Sequence, residues 1–390
     1  MSRSTVLALV LVAAALVMGG AFAATRGGDD EPAPGASGPA DGAGLSVSTA
    51  GWKTDFTRHS VPLDEFISGG PPRDGIPPID DPRFAPVAES DGEDREPVIA
   101  LEVGGEARAY PIRVLIWHEI VNDTVGGRAV AVTFCPLCNT SIVFDRELDG
   151  RTLRFGTTGN LRLSDLVMWD DATESWWQQF SGEAVVGELT GERLERIPSQ
   201  LISLAEFRER HPDGVVLTEE TGHDRPYGRN PYTGYDDVDS PAFLLRGRDP
   251  DGRLPPKERV VSVEDGTALA AVPFPALERR RVIDATVGTT PFTVWWSPGT
   301  ASALDADAIV DGRDVGSAVV YDRRLDGRLL SFGARDGRVR DAQTGSSWGR
   351  DGRAVSGPLA GRRLTPVAHD APFWFAVAAF RPDARIVTGA

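Results

Sequence analysis

Residues Val143–Gly156 read VFDRELDGRTLRFG, and residues Val320–Gly333 read VYDRRLDGRLLSFG. Such self-similarity at a distance marks a repeated domain. Upstream, Asp123–Gly127 (DTVGG) recurs as Ala285–Thr289 (ATVGT), 162 residues on. Downstream, Gly187–Leu194 (GELTGERL) recurs as Gly357–Leu364 (GPLAGRRL), 170 residues on, and HPD at 211–213 answers to RPD at 381–383. The order is kept throughout. The chain therefore reads as two tandem copies of one domain, residues 97–218 and 259–390. The quoted repeat itself lies at an offset of 177, so copy two gains residues between Thr300 and Val320 and then loses some.

The duplication separates scaffold from chemistry. Asp145-Arg146 survives as Asp322-Arg323, which marks it as structural. By contrast, Cys135 aligns with Ser297, Cys138 with Thr300, His118 with Arg280, Glu119 with Arg281 and Asp123 with Ala285. Copy one is the candidate active copy, and copy two is degenerate.

Val98–Val103 and Ala107–Tyr110 flank Gly104-Gly105, a hairpin signal. Ile112, Leu115, Ile116 and Ile120 fall at helical spacing after Pro111 and predict a helix over 112–121. A strand over 129–134 leads to the cysteines. Strands over 141–145 and 152–155 bracket an Asp-Gly turn. Short strands follow near 165–169, 175–179, 184–188 and 193–196, then a helix over 201–209. The fold class is α+β: mostly antiparallel β with a few short helices. No strand–helix alternation or Gly-rich phosphate loop supports a nucleotide fold.

Working outward, residues 1–24 (MSRSTVLALVLVAAALVMGGAFAA) have one Arg, an apolar run and small residues at Ala21 and Ala23. They predict a secretory signal peptide or, uncleaved, an N-terminal membrane anchor. Residues 25–55 read as an acidic, disordered linker, and 56–96 as an extension packing on repeat 1. The expected location is secreted or extracytoplasmic. A net charge of −16 argues against nucleic-acid binding and against docking on anionic lipid, so any membrane contact runs through the N-terminal segment. Two cysteines exclude a disulfide-dense scaffold and a four-thiolate iron–sulfur cluster.

Those two cysteines form Phe134-Cys-Pro-Leu-Cys-Asn139. A C-x-x-C turn brings two sulfurs close enough to share a metal or to form a disulfide. A helix start there would make Cys135 an attacking thiolate. His118 is a candidate third ligand, because neutral imidazole binds metal near pH 7. Two thiolates and an imidazole suit Zn or Cu. Glu119 and Asp123, one helical turn apart, are candidate supports for that site. Three readings follow: metal binding or handling by Cys135, Cys138 and His118; a thiol-disulfide oxidoreductase using Cys135 and Cys138; or a non-catalytic surface module for a small ligand, with the cysteines as a structural disulfide. The connector 219–258 carries Tyr227, Tyr232 and Tyr235 among Gly, Pro and Asn. Three tyrosines suggest a loop packed across copy one as a pocket wall or lid.

Four blocks carry a family resemblance: Val61–Pro77 (VPLDEFISGGPPRDGIP), Ala109-Tyr-Pro with Trp117–Asp123 (WHEIVND), Thr133–Cys138 (TFCPLC) and Asn230–Tyr235 (NPYTGY). In this order they resemble the bacterial and archaeal family known as domain of unknown function 3179, over about residues 56–390. The resemblance implies an exported or surface protein. It supports Cys135, Cys138 and His118 as one constellation and does not say which chemistry they perform.

Overall fold

The Cys-Pro-Leu-Cys segment turns a β-hairpin whose four-residue loop is Pro136–Asn139. Strand Arg128–Cys135 ends on the first thiol, and strand Thr140–Asp145 returns, with Cys135 paired to Thr140. The alternation of Val, Ala, Thr and Phe in these strands suits a pleated surface, and both strands are buried along nearly their whole length. In the computed structural model residues 44–245 and 251–389 are described. The expected signal or anchor segment and the linker up to residue 43 lie outside them.

The cysteine hairpin is the centre of a four-stranded sheet flanked by Ile120–Val125 and Arg196–Ile197. A second sheet contains Phe155–Arg162, Asp165–Asp170, Trp176–Gln178 and Glu183–Val186, with Phe66–Ser68 at its edge. A third is built on Pro97–Val103 and Glu106–Pro111, flanked by Ser199–Ser203 and Val215–Leu217, with Phe84–Pro86 beyond the latter. Among the described strands, pairing is antiparallel except where Val215–Leu217 joins Glu106–Pro111, and where Arg385–Ile386 joins Ala268–Pro273. The protein is thus mostly antiparallel β with a few short helices.

The predicted helix 112–121 ends earlier. It runs Ile112–His118, and Glu119 stops it in the left-handed region, φ 59°, its N–H returning to Leu115 O at 2.7 Å. Ile120 and Val121 are β-branched and enter the next strand opposite Thr133 and Val132. The later helix likewise starts at Leu204, because Ser199–Ser203 pairs with Pro97–Leu101 and Ser203 then caps it by accepting Glu206 N–H.

Residues 259–389 repeat this order. Val260–Asp265, Ala268–Pro273, helix Phe274–Arg280, Val282–Val287, Thr290–Ser297 and Ser317–Asp322 follow one another as their counterparts do from residue 97. Arg281 ends its helix at φ 67°, as Glu119 does. Trp177 Nε1 donates to Asp170 at 2.9 Å, and Trp348 Nε1 to Asp341 at 3.0 Å. Arg146 grips Leu153 O and Arg323 grips Leu330 O, each at 2.7 Å. One hairpin differs: strands 155–162 and 165–170 of the first half face strands of only four residues, Phe332–Arg335 and Arg338–Asp341, in the second.

The described part of the expected linker is not loose. Trp52 packs edge-on to Trp169 and Trp176, and Thr54 Oγ1 donates to Glu174 O. This apolar anchoring was hidden by the polar composition around Trp52. The extension joins the first half through Phe66–Ser68, Phe84–Pro86 and an Ile79–Val121 bridge. No helix among the described residues is long and apolar enough to cross a membrane.

Candidate functional site

Cys135 and Cys138 are free thiols, 1% and 0% exposed. Asn139, in the left-handed region at φ 56°, turns the chain so that Cys138 folds back beneath the hairpin. Its Sγ donates to Asp165 Oδ1 at 2.9 Å and lies 3.0 Å from Thr140 Oγ1. Ligand atoms of Cys135, Cys138 and Asp165 all lie within 4.8 Å of one another, and all three residues are buried.

His118 is not in that group. Its Nδ1 meets Pro77 O at 2.7 Å and its Nε2 meets Tyr227 Oη at 2.7 Å. Because a carbonyl only accepts, Nδ1 carries the proton and Nε2 accepts from the tyrosine. Burial pulls the imidazole down to about 4, so it is neutral at pH 7. Sequence reasoning read His118 as a ligand; the structure makes it the post to which the connector is tied. Losing this tie, Tyr227→Phe should cost about 1 kcal/mol and open the connector locally. Trypsin should then cut at Arg225 or Arg229 about fivefold faster, with little change in global melting. Unchanged cleavage would show that the bond does not hold the segment.

Asp123 also leaves the site. It accepts two bonds from Arg108 at 2.8 Å and one from Tyr110 Oη at 2.6 Å. The expected shared helical face of Glu119 and Asp123 does not exist, because the helix ends at His118, before both of them. Glu119 stays close, 7% exposed. Burial and the charge of Asp165 push its carboxyl up to about 8. Asp165 itself is pushed up to about 6 by burial, against the bonds it accepts.

Asp165 was missed by sequence reasoning. It follows the Leu163-Ser164 turn, both residues at positive φ, on the hairpin that is longer in the first half. Around it stand neutral donors: Gln178 Nε2 at 2.5 Å and Phe180 N–H at 2.9 Å, beside the Cys138 thiol. Gln179 braces the next layer, accepting from Thr140 Oγ1 and donating to Thr133 Oγ1. Among the described residues no Lys or Arg forms an ion pair with Asp165 or Glu119. The longer hairpin was the available signal, since the similar stretch of the second half is shorter.

The second half seals the loop. Phe373 N–H donates to Cys138 O at 2.9 Å, Asn139 Nδ2 to Ala371 O at 2.8 Å, and Ser141 N–H to Asp370 at 2.8 Å. From the connector, Tyr235 Oη donates to Leu137 O at 2.9 Å, and Lys257 lies 3.5 Å from the centre of its ring. Tyr235 thus covers the cysteine loop, Tyr232 lines a cavity of about 420 Å³ beside Glu119, and Tyr227 holds His118.

Chemically, the thiols are poor redox nucleophiles as they stand. Burial raises both, Cys138 strongly, which disfavours the thiolate form. What the group offers is two sulfurs and a carboxylate that give up protons together if a cation takes their place.

A family model described as a protein of unknown function, DUF3179, matches residues 73–384. No curated protein and no solved structure gives a significant match.

Proposed function

The chain belongs to the DUF3179 family, and on that premise we propose that it is an exported metal-binding protein whose ligands are Cys135, Cys138 and Asp165. One observation carries the reading: two thiols and a carboxylate, buried within 4.8 Å of one another and paired only with neutral donors. An acid group in such a place is held neutral by protons or compensated by a cation. Sulfur ligands favour Zn or Cu over Mg or Ca, and a divalent ion leaves less net charge buried than Cu(I) does. Three protein ligands leave a fourth position on a tetrahedral ion. Glu119 stands near enough to act on it through its charge.

The two halves are, on the same reading, copies of one domain related by a pseudo-two-fold contact. Phe180 stacks on Phe380 with ring centres 4.7 Å apart. At the corresponding positions Arg210 donates to Arg350 O at 3.1 Å. The second copy has kept the frame and serves to close the first copy's loop. The N-terminal apolar segment would deliver the protein across the membrane.

Metal analysis of the full chain purified without chelator tests the assignment. The parent should carry about one equivalent of Zn or Cu, and Cys138→Ser and Asp165→Asn should fall to background. His118→Ala should keep its metal. Equal content in parent and Cys138→Ser sinks the proposal, and loss in His118→Ala with retention in Asp165→Asn restores the ligand set read from sequence.

A further inference from the structure

The cavity of about 420 Å³ beside Glu119 is lined by two charged side chains, Glu119 and Arg225, that have no side-chain partner among the described residues. Its walls are largely apolar, with Trp117, Leu161, Leu166 and Phe243 prominent. The size lies at the lower end of the roughly 300–1,000 Å³ typical of small-molecule sites. Gly159, at φ 76°, runs so close beneath Pro71 at its rim that an added Cβ would come within 2.0 Å of Pro71 O. A side chain there would push the rim apart.

Into this space faces the Glu119 carboxyl, more than nine-tenths buried and with no hydrogen-bond partner among the described residues. Arg225 lines the same cavity from the connector. Its Nε is buried and unpartnered, and the guanidinium forms no ion pair among the described residues. The other described connector arginines behave differently: Arg229 pairs with Asp307 and Arg253 with Asp251. Buried polar groups in folded proteins normally find partners, so the unpartnered Arg225 Nε, facing one apolar cavity together with the Glu119 carboxyl, points to a ligand. The guanidinium sets its charge, because a planar fork of donors fits a carboxylate. Tyr227, bonded to His118 two residues further on, fixes the segment that carries Arg225.

We propose that this cavity binds a small apolar carboxylic acid, its carboxylate on Arg225 and its body against Trp117, Leu161, Leu166 and Phe243. Glu119 sits between the cavity and the thiols. The site does not require a metal on the cysteines.

Calorimetric titration with 4-phenylbutyrate, 4-phenylbutanol and 4-phenylbutylamine tests this on the full chain, as purified and again after chelation. The acid should bind saturably and at least about tenfold more tightly than the alcohol or the amine. Arg225→Gln, on an accessible loop, should lose about that factor for the acid and leave the alcohol within about twofold. Leu161→Trp, filling the cavity, should weaken acid and alcohol alike. The proposal is overturned if Arg225→Gln binds the acid like the parent, if the amine binds most tightly, or if no probe saturates by about 1 mM. Acid binding that persists after chelation keeps this site separate from the fate of the metal assignment.

Discussion

Replacing Asp236 with Ala should destabilise the protein by about 3–5 kcal/mol, because it strands a buried guanidinium. Asp236 is 1% exposed and lies in the connector directly after Tyr235. Its Oδ2 takes Arg259 Nη2 at 2.9 Å, its Oδ1 takes Arg313 Nη1 at 2.7 Å, and Ser302 Oγ also donates to it. Burial alone would raise this carboxyl, yet the two arginines and the serine hold it below the ordinary Asp value. Arg259 is 9% exposed. Without Asp236 its remaining side-chain partner is Ser302 Oγ at 2.8 Å, which carries no charge. Arg313 is far more open to water, so Arg313→Ala should cost only about 1 kcal/mol. Urea unfolding of both variants checks the ordering. A cost below about 1 kcal/mol for Asp236→Ala would mean that Arg259 finds water or another acceptor.

Glu119→Gln should change how stability depends on pH. In metal-free protein the Glu119 carboxyl is pushed from 4.5 up to about 8 by burial and by Asp165. Between those values the folded chain holds a proton that the unfolded chain has released. Stability is therefore full below pH 4.5 and is lost as pH rises towards 8, by on the order of 5 kcal/mol. Asp165, raised to about 6, acts in the same direction over a lower range, from pH 3.8 to about 6. His118 works oppositely: its pKa is lowered from 6.5 to about 4, so it costs stability as pH falls through that interval. Glutamine is neutral throughout, so Glu119→Gln should match the parent near pH 5 and exceed it by a few kcal/mol at pH 8. Denaturation in the presence of chelator at both pH values gives the comparison. Parallel pH profiles for variant and parent would place the Glu119 proton elsewhere. Metal on the sulfurs should flatten the parent's profile, since its charge favours the ionised carboxylate.

The sequence disclosed the β-rich frame because alternation, Gly-Gly and Asp-Gly turns are local signals. It disclosed the cysteine loop because the motif is contiguous. Glu119 was readable as a neighbour of the site but for the wrong reason, since an assumed helix was needed to pair it with Asp123. Asp165 was not readable from any motif. It lies 27 residues beyond Cys138, and only the fold of the longer hairpin brings its carboxylate under the sulfur. His118 was readable as special, being Arg280 in the second half, but its partners Pro77 and Tyr227 are 41 and 109 residues away. Long-range pairing of this kind leaves no spacing to read. The tyrosines of the connector were legible as packed side chains. Which one covers the thiols, which one lines the cavity and which one ties the loop depended on three-dimensional register.

The tyrosine lid over the cysteine loop has a kinetic consequence. With Tyr235 bonded to Leu137 on one side and Phe373 bonded to Cys138 on the other, both sulfurs are shut away from the outside. Nothing dissolved around the folded protein reaches them faster than these two clasps part. If the proposed metal sits on the thiols, its exchange would therefore be set by how often these clasps open, and thermodynamic affinity alone would not describe it.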